Sequence, residues 1–122
     1  MKITHASIQD LAAVAAVEAI CFPPAEAATE KDFAGRIQHY GNHFWLMFDG
    51  DRLIAFVDGF VTDEADLTDE MYANAAMHNE NGAWQMIFGV NTVPGRRRQG
   101  HAGALLRRAI TDAKAHGRKG LV

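Results

Sequence analysis

Val93-Pro94-Gly95-Arg96-Arg97-Arg98-Gln99-Gly100-His101-Ala102-Gly103-Ala104-Leu105-Leu106 decides how this chain is read. It joins an apolar run that ends in proline to an Arg/Gly turn, and then to an amphipathic segment. A strand that hands over to a helix through such a turn leaves several backbone N–H groups unpaired and facing outward. Helix N-termini and nested N–H groups bind phosphate, and the arginines place positive charge beside them. The turn therefore reads as a pyrophosphate cradle. Taken alone, Arg96-Arg97-Arg98 is also compatible with a solvated basic turn or a nucleic-acid patch.

Outward from the turn, Ala102, Leu105, Leu106, Ala109, Ile110 and Ala113 make one apolar helical stripe. Arg107, Arg108, Asp112 and Lys114 face water, and Gly117 stops the helix. Gly120-Leu121-Val122 begins a strand. Before the turn, Trp84 to Val93 reads as a strand interrupted at Gly89, where glycine marks a bulge or a close backbone approach. His43 to Phe48 and Leu53 to Val61 are two strands joined by the hairpin Asp49-Gly50-Asp51-Arg52. Thr62 to Asn81 is a polar, acidic connection with a helical turn near Met71 to Met77. At the front, Lys2 to Ala6 is a short strand. Ser7-Ile8-Gln9-Asp10 is a capping box with Asp in place of Glu, opening a helix to about Ile20. Phe22-Pro23-Pro24-Ala25 breaks that helix. Thr29 caps a second one, with Phe33 and Ile37 inward, ending near Gly41. The order is β-α-α-β-β-β-α-β, an α/β (α+β layered) domain with a mixed sheet.

The 122 residues make one domain with a single core. A net charge of −3 excludes a global basic field for nucleic acid or membrane. No apolar run approaches the ~20 residues of a membrane span. The single cysteine, Cys21, rules out an internal disulfide and suits a reducing compartment, so a cytoplasmic protein is expected.

Arg97-Arg98-Gln99-Gly100-His101-Ala102 fits the signature R/Q-x-x-G-x-G/A, with Pro94 six residues before Gly100 and Leu105 five after it. On these residues and the element order, the chain resembles the GNAT family of N-acetyltransferases along essentially its whole length. The resemblance implies a mixed central sheet flanked by helices, acetyl-CoA as co-substrate and no metal. It implies that Arg97, Arg98, Gln99, Gly100, His101, Ala102 and Gly103 hold the coenzyme diphosphate, Gly100 and Ala102 being small enough for a close backbone approach. It further implies that Val90-Asn91-Thr92 pairs edge-on with the pantetheine arm, and that an N–H near Val90 polarises the thioester carbonyl.

A narrower likeness joins Cys21 to Ala28, Leu67 to Met71, and His78 with Gly82 to bacterial relatives of arylalkylamine (serotonin-type) N-acetyltransferases. That likeness implies an acceptor pocket in which Phe22, Pro23, Pro24 and Tyr72 supply an apolar wall. Glu26, Asp69 and Glu70 would attract an ammonium, and Glu26 and His78 are the candidates for proton removal. Two departures stand out. Met86 and Phe88 occupy the positions where the animal serotonin-type enzymes carry histidines. Family domains also continue past the fifth strand to a tyrosine acid, whereas Tyr40 and Tyr72 both precede the motif.

The expectation is therefore residues 1–122 as the N-terminal and central part of one such domain, truncated after the start of the fifth strand. An open edge along Trp84 to Val93 would invite a homodimer or leave stability marginal. The expected activity is acetyl transfer from acetyl-CoA to a small primary amine by direct attack, not through Cys21. The alternatives are a non-catalytic acyl-CoA-binding or interaction module and, least favoured, a nucleic-acid-binding domain.

Overall fold

The computed structural model describes all of residues 1–122. Its centre is the hairpin of β2 (Phe44–Asp49) and β3 (Arg52–Asp58), turned at Gly50 and Asp51 with Gly50 at φ +60°. β1 (Lys2–His5) pairs antiparallel with β2, and β6 (Gly89–Thr92) pairs antiparallel with β3, giving the order β1-β2-β3-β6. A second sheet holds β4 (Val61–Thr62), β5 (Trp84–Gln85) and β7 (Gly120–Leu121), with β7 parallel to β5. The expected long strands are thus each broken in two, at Gly59-Phe60 and at Met86-Ile87-Phe88.

The break follows from the backbone. A Cβ on Gly59 would overlap the Met86 carbonyl, so β3 and the β5–β6 segment cross there at a distance only glycine allows. Buried Gln85 staples the crossing, its Nε2 donating to the carbonyls of Gly59 and Met86.

Helices cover both faces of the main sheet. Residues Phe44 to Met47 are all buried, as a two-sided strand requires. Phe44 and Phe56 meet Phe33 of α2 (Glu30–Tyr40), which packs beside α1 (Leu11–Cys21). Trp45, on the opposite face, donates its Nε1–H to Asp112 of α4 (His101–Ala115) at 2.8 Å. The apolar stripe of α4 buries Leu105, Ala109 and Ala113, but Ile110 is exposed and Asp112 faces Trp45 rather than water. The two caps form as expected, Asp10 accepting from Ser7 and Thr29 exchanging bonds with Asp32. The Ser7 cap first opens a short 3-10 turn, Ile8–Asp10. In the acidic connection, α3 (Asp69–Ala73) and a 3-10 turn, Ala75–Met77, stand where one helical turn is expected.

Glu80 clamps the second sheet to the first. Its carboxylate accepts from His43 Nε2 (2.9 Å), His78 Nε2 (3.1 Å) and Arg118 Nη2 (3.0 Å). His78 Nδ1 accepts the Val61 N–H, so its ring proton is on Nε2, where a metal would need a lone pair. Burial holds both imidazoles below the ordinary histidine value, so neutral rings are favoured. For Glu80, burial works upward, but hydrogen bonds from His43 and Asn42 outweigh it and hold the carboxyl at about 2.

A folded value below the unfolded one means that the Glu80 contribution is complete above about 4.5 and is lost as pH falls toward 2. Glu80→Gln is expected to cost about 1 kcal/mol at pH 7, the carboxylate being half exposed. Thermal melts should show a gap from the parent that is constant down to about pH 4.5 and then closes. Equal melting temperatures at pH 7 would show that the clamp adds no stability.

Candidate functional site

The turn after β6 leaves a row of backbone donors without acceptors. Gly100 takes φ +83° at the N-terminus of α4, and Arg98 takes φ +64°, a left-handed value rare outside glycine. After Arg96, whose N–H bonds to Val93 O at 2.9 Å, the next N–H with a backbone partner is that of Ala104, bonded to Gly100 O at 3.0 Å. The N–H groups from Arg97 to Gly103 donate to no other group of the chain. Fifteen residues of helix aim their positive end at this point. No side chain caps it, so the donors and the dipole face solvent together.

These residues line a groove of about 440 Å³ with Cys21, Phe22, Val90, Asn91, Thr92, Arg96, Arg97 and Arg98. Of the expected set only Gln99 is off its wall, its Oε1 bonded to His101 Nε2 at 3.1 Å. Two arginines are already engaged. Arg96 binds Asp49 of the hairpin turn at 2.7 Å, and Arg97 Nε donates to Thr92 O at 3.1 Å. Arg98 makes no hydrogen bond within the chain, and with Arg97, whose partner is a neutral carbonyl, it carries the unpaired charge of the turn.

The floor of the groove is the free edge of β6. Val93 N–H donates to Ile54 O at 2.9 Å, and alternation along the antiparallel pair turns the N–H groups of Thr92 and Val90 away from β3. β7 does not cover this edge. It pairs with β5, and the last contacts are Ile87 N–H to Val122 O and Val122 N–H to Gln85 O. The expected open edge along Trp84 to Val93 is therefore corrected: the β5 half is paired and only the β6 half is free.

A second pocket of about 420 Å³ lies on the other side of Phe22 and Asn91, which line both. Its walls include Phe22, Tyr72 and Phe88, with the Tyr72 and Phe88 rings 4.9 Å apart. Glu26 and Asp32 stand at its exposed rim, and Glu18, Arg36 and Asp58 line it from within. Sequence reading places Phe22, Glu26 and Tyr72 here, and all three are here. Pro23, Pro24, Asp69 and Glu70 are not; both carboxylates stay at the solvated first turn of α3. His78 lines neither cavity, its two nitrogens being engaged with Val61 and Glu80. Met86 is core, while Phe88 forms pocket wall.

The buried charges were not singled out in the sequence. Arg36 Nη1 meets Asp58 Oδ2 at 3.3 Å, and Tyr40 donates to the same oxygen at 3.2 Å. Glu18 accepts from Ala28 N–H and, at 2.7 Å, from Asn91 Nδ2. A signal existed: Arg36 falls on the inward face with Phe33, Ile37 and Tyr40, and Asp58 interrupts an apolar strand. Burial pushes Asp58 up to about 6, Glu18 adding to it while Arg36 and Tyr40 oppose. Desolvation works to lower Arg36, but Asp58, Tyr40, Glu18 and Asp32 together outweigh it and the guanidinium is raised.

Breaking a buried pair from one side leaves an uncompensated charge. Arg36→Met should lower stability at pH 8 by about 3 kcal/mol, read from urea midpoints. An unchanged midpoint would mean that the pair is not formed.

A sequence profile of the acetyltransferase (GNAT) family matches residues 11–121. No curated protein sequence matches the chain significantly. Among solved structures, the GphF GNAT-like decarboxylase in complex with isobutyryl-CoA superposes with a TM-score of 0.81 at 22% identity, covering 91% of this chain and 58% of that one. The ribosomal-protein-S18-alanine N-acetyltransferase from Escherichia coli gives 0.67 at 19% identity, over 95% of this chain and 61% of that one. A GNAT family acetyltransferase from Brucella melitensis in complex with acetyl-CoA gives 0.64 at 15%, over 98% and 72%. The chain thus spans less than two thirds of the first two structures. No helix is long and apolar enough to cross a membrane.

Proposed function

We propose that this chain, which belongs to the acetyltransferase (GNAT) family, is an acetyl-CoA-dependent N-acetyltransferase acting on a small primary amine. The observation that carries the proposal is the meeting of two unlike cavities at Phe22 and Asn91. One offers a row of unpaired N–H groups, a helix N-terminus and Arg98, which suit a diphosphate. The other is aromatic and acidic, which suits an ammonium on an apolar body.

In this reading Arg97, Arg98, Gly100, His101, Ala102 and Gly103 hold the diphosphate, with Gln99 orienting His101. The free edge of β6 takes the extended arm, and the Val90 N–H faces the developing oxyanion. Phe22 and Tyr72 hold the amine's apolar part, and Glu26 draws the cation to the rim. The amine attacks the thioester directly. An aromatic wall joined to carboxylates also supports the arylalkylamine type of acceptor.

The likeness to a decarboxylase favours a second reading, in which the chain binds an acyl-CoA without acetylating an amine. The pocket lining speaks against a carboxylated acyl group, since it sets Glu18, Glu26, Asp32 and Asp58 against the single, already paired Arg36.

Calorimetry with acetyl-CoA tests the coenzyme half. Gly100→Glu places a carboxylate in the cradle and should weaken binding at least tenfold, or about 1.4 kcal/mol. Gly100→Ala separates the backbone strain at φ +83° from the charge and should lose less. Equal affinity of Gly100→Glu and the parent would place the coenzyme elsewhere.

A further inference from the structure

Two buried oxygens in the acidic pocket lack a donor. They are Asp58 Oδ1 and Asn91 Oδ1. Their orientation is set by their other ends. Asp58 Oδ2 takes Arg36 and Tyr40, and Asn91 Nδ2 donates to Glu18 Oε1. The free oxygens converge on one spot. A Cβ added to Gly89 would lie 3.1 Å from Asp58 Oδ1 and 3.4 Å from Asn91 Oδ1, with nothing else within 4 Å beyond the glycine's chain neighbours. Gly89, Asp58 and Asn91 all line the pocket that holds Phe22, Glu26 and Tyr72. Native proteins leave few buried acceptors unpaired. Two that converge beside a glycine call for a group with at least two N–H donors, and the surrounding carboxylates call for a positive one.

We propose that Asp58 Oδ1 and Asn91 Oδ1 are the seat of the acceptor's ammonium, and that Asp58 takes its first proton. The inference rests on the amine reading above and names the residues that serve it. The ammonium gives one proton to the Asp58 carboxylate and becomes a free amine. Its lone pair forms the N–C bond to the thioester carbonyl, and the C–S bond breaks with its electron pair leaving on sulfur. The second amine proton neutralises the thiolate, and Asp58 returns its proton to water once the amide leaves. Asn91 holds the nitrogen and carries no proton.

The groups facing Asp58 are Arg36 and Tyr40 from α2, Glu18 from α1 and the neutral Asn91 from β6. With burial as the leading cause, they set its carboxyl at about 6, so at pH 7 it is ionised and able to accept. Activity should fall as pH drops through 6, the direction in which the base becomes protonated.

The test uses the full chain, acetyl-CoA, and a panel of 2-phenylethylamine, tryptamine, putrescine and spermidine. The parent should acetylate at least one, with an acidic limb in kcat/KM near pH 6. Asp58→Asn should lower kcat/KM about 100-fold or more and abolish the limb, with acetyl-CoA affinity by calorimetry unchanged. Gly89→Ala fills the seat while leaving the Arg36–Asp58 pair in place, and decides the matter if Asp58→Asn does not fold. It should raise the KM for the amine about tenfold or more and leave acetyl-CoA affinity unchanged. Kinetics within threefold of the parent, limb intact, would show that the seat holds a buried water only, and the amine reading would survive. A parent that binds acetyl-CoA but neither binds nor acetylates any of the amines would overturn the amine reading, and this assignment with it.

Discussion

Everything at the site depends on the crossing at Gly59. The Met86 carbonyl lies where a Cβ would be, and no other residue lets the two strands pass. Gln85 fills the acceptors that the crossing exposes. Because the strands part there, one sheet becomes two, β7 follows β5 rather than β6, and the edge of β6 stays free. The same parting sets Asp58 and Gly89 side by side at the end of their ladder, where backbone pairing stops and a cavity begins. The groove beside α4 and the pocket beyond Phe22 are two sides of one geometric event.

The second constraint is electrostatic. A fully buried carboxylate is tolerated here because α2 brings a guanidinium and a phenol to one of its oxygens. That arrangement leaves its other oxygen uncommitted. Burial raises the group while Arg36 and Tyr40 oppose it, leaving its carboxyl at about 6. Glu18 works similarly, tying α1 to Ala28 and to Asn91, and so fixing which end of the Asn91 amide faces the pocket.

Much of this was legible in residue order. The helix spans, both caps, the hairpin and the Arg/Gly turn follow from local chemistry, and they stand where the periodicity puts them within a residue or two. Phe22, Glu26 and Tyr72 also stand together. Local reading failed where the partner was distant. Asp112 looks solvent-facing by helical spacing, but Trp45 lies across the sheet and needs an acceptor. His78 looks like a free base until Val61 and Glu80 take both its nitrogens. The long strands look continuous because an apolar run carries no mark of a crossing except a glycine, and Gly59, where the crossing falls, looks no different in sequence from Gly89.

By itself the sequence determined the turn proposed as a phosphate cradle. Its ingredients are contiguous: a glycine able to take positive φ, a helix that starts without a side-chain cap, and arginines beside it. Each is a property of neighbours in the chain. Only the tertiary structure decided the pocket proposed for the acceptor and the carboxylate proposed as its base. Arg36, Asp58 and Asn91 come from three separate elements, and a charge on an apolar face does not by itself name its partner. Their meaning arises when packing removes water from around them, because an unpaired oxygen matters only once nothing else can satisfy it.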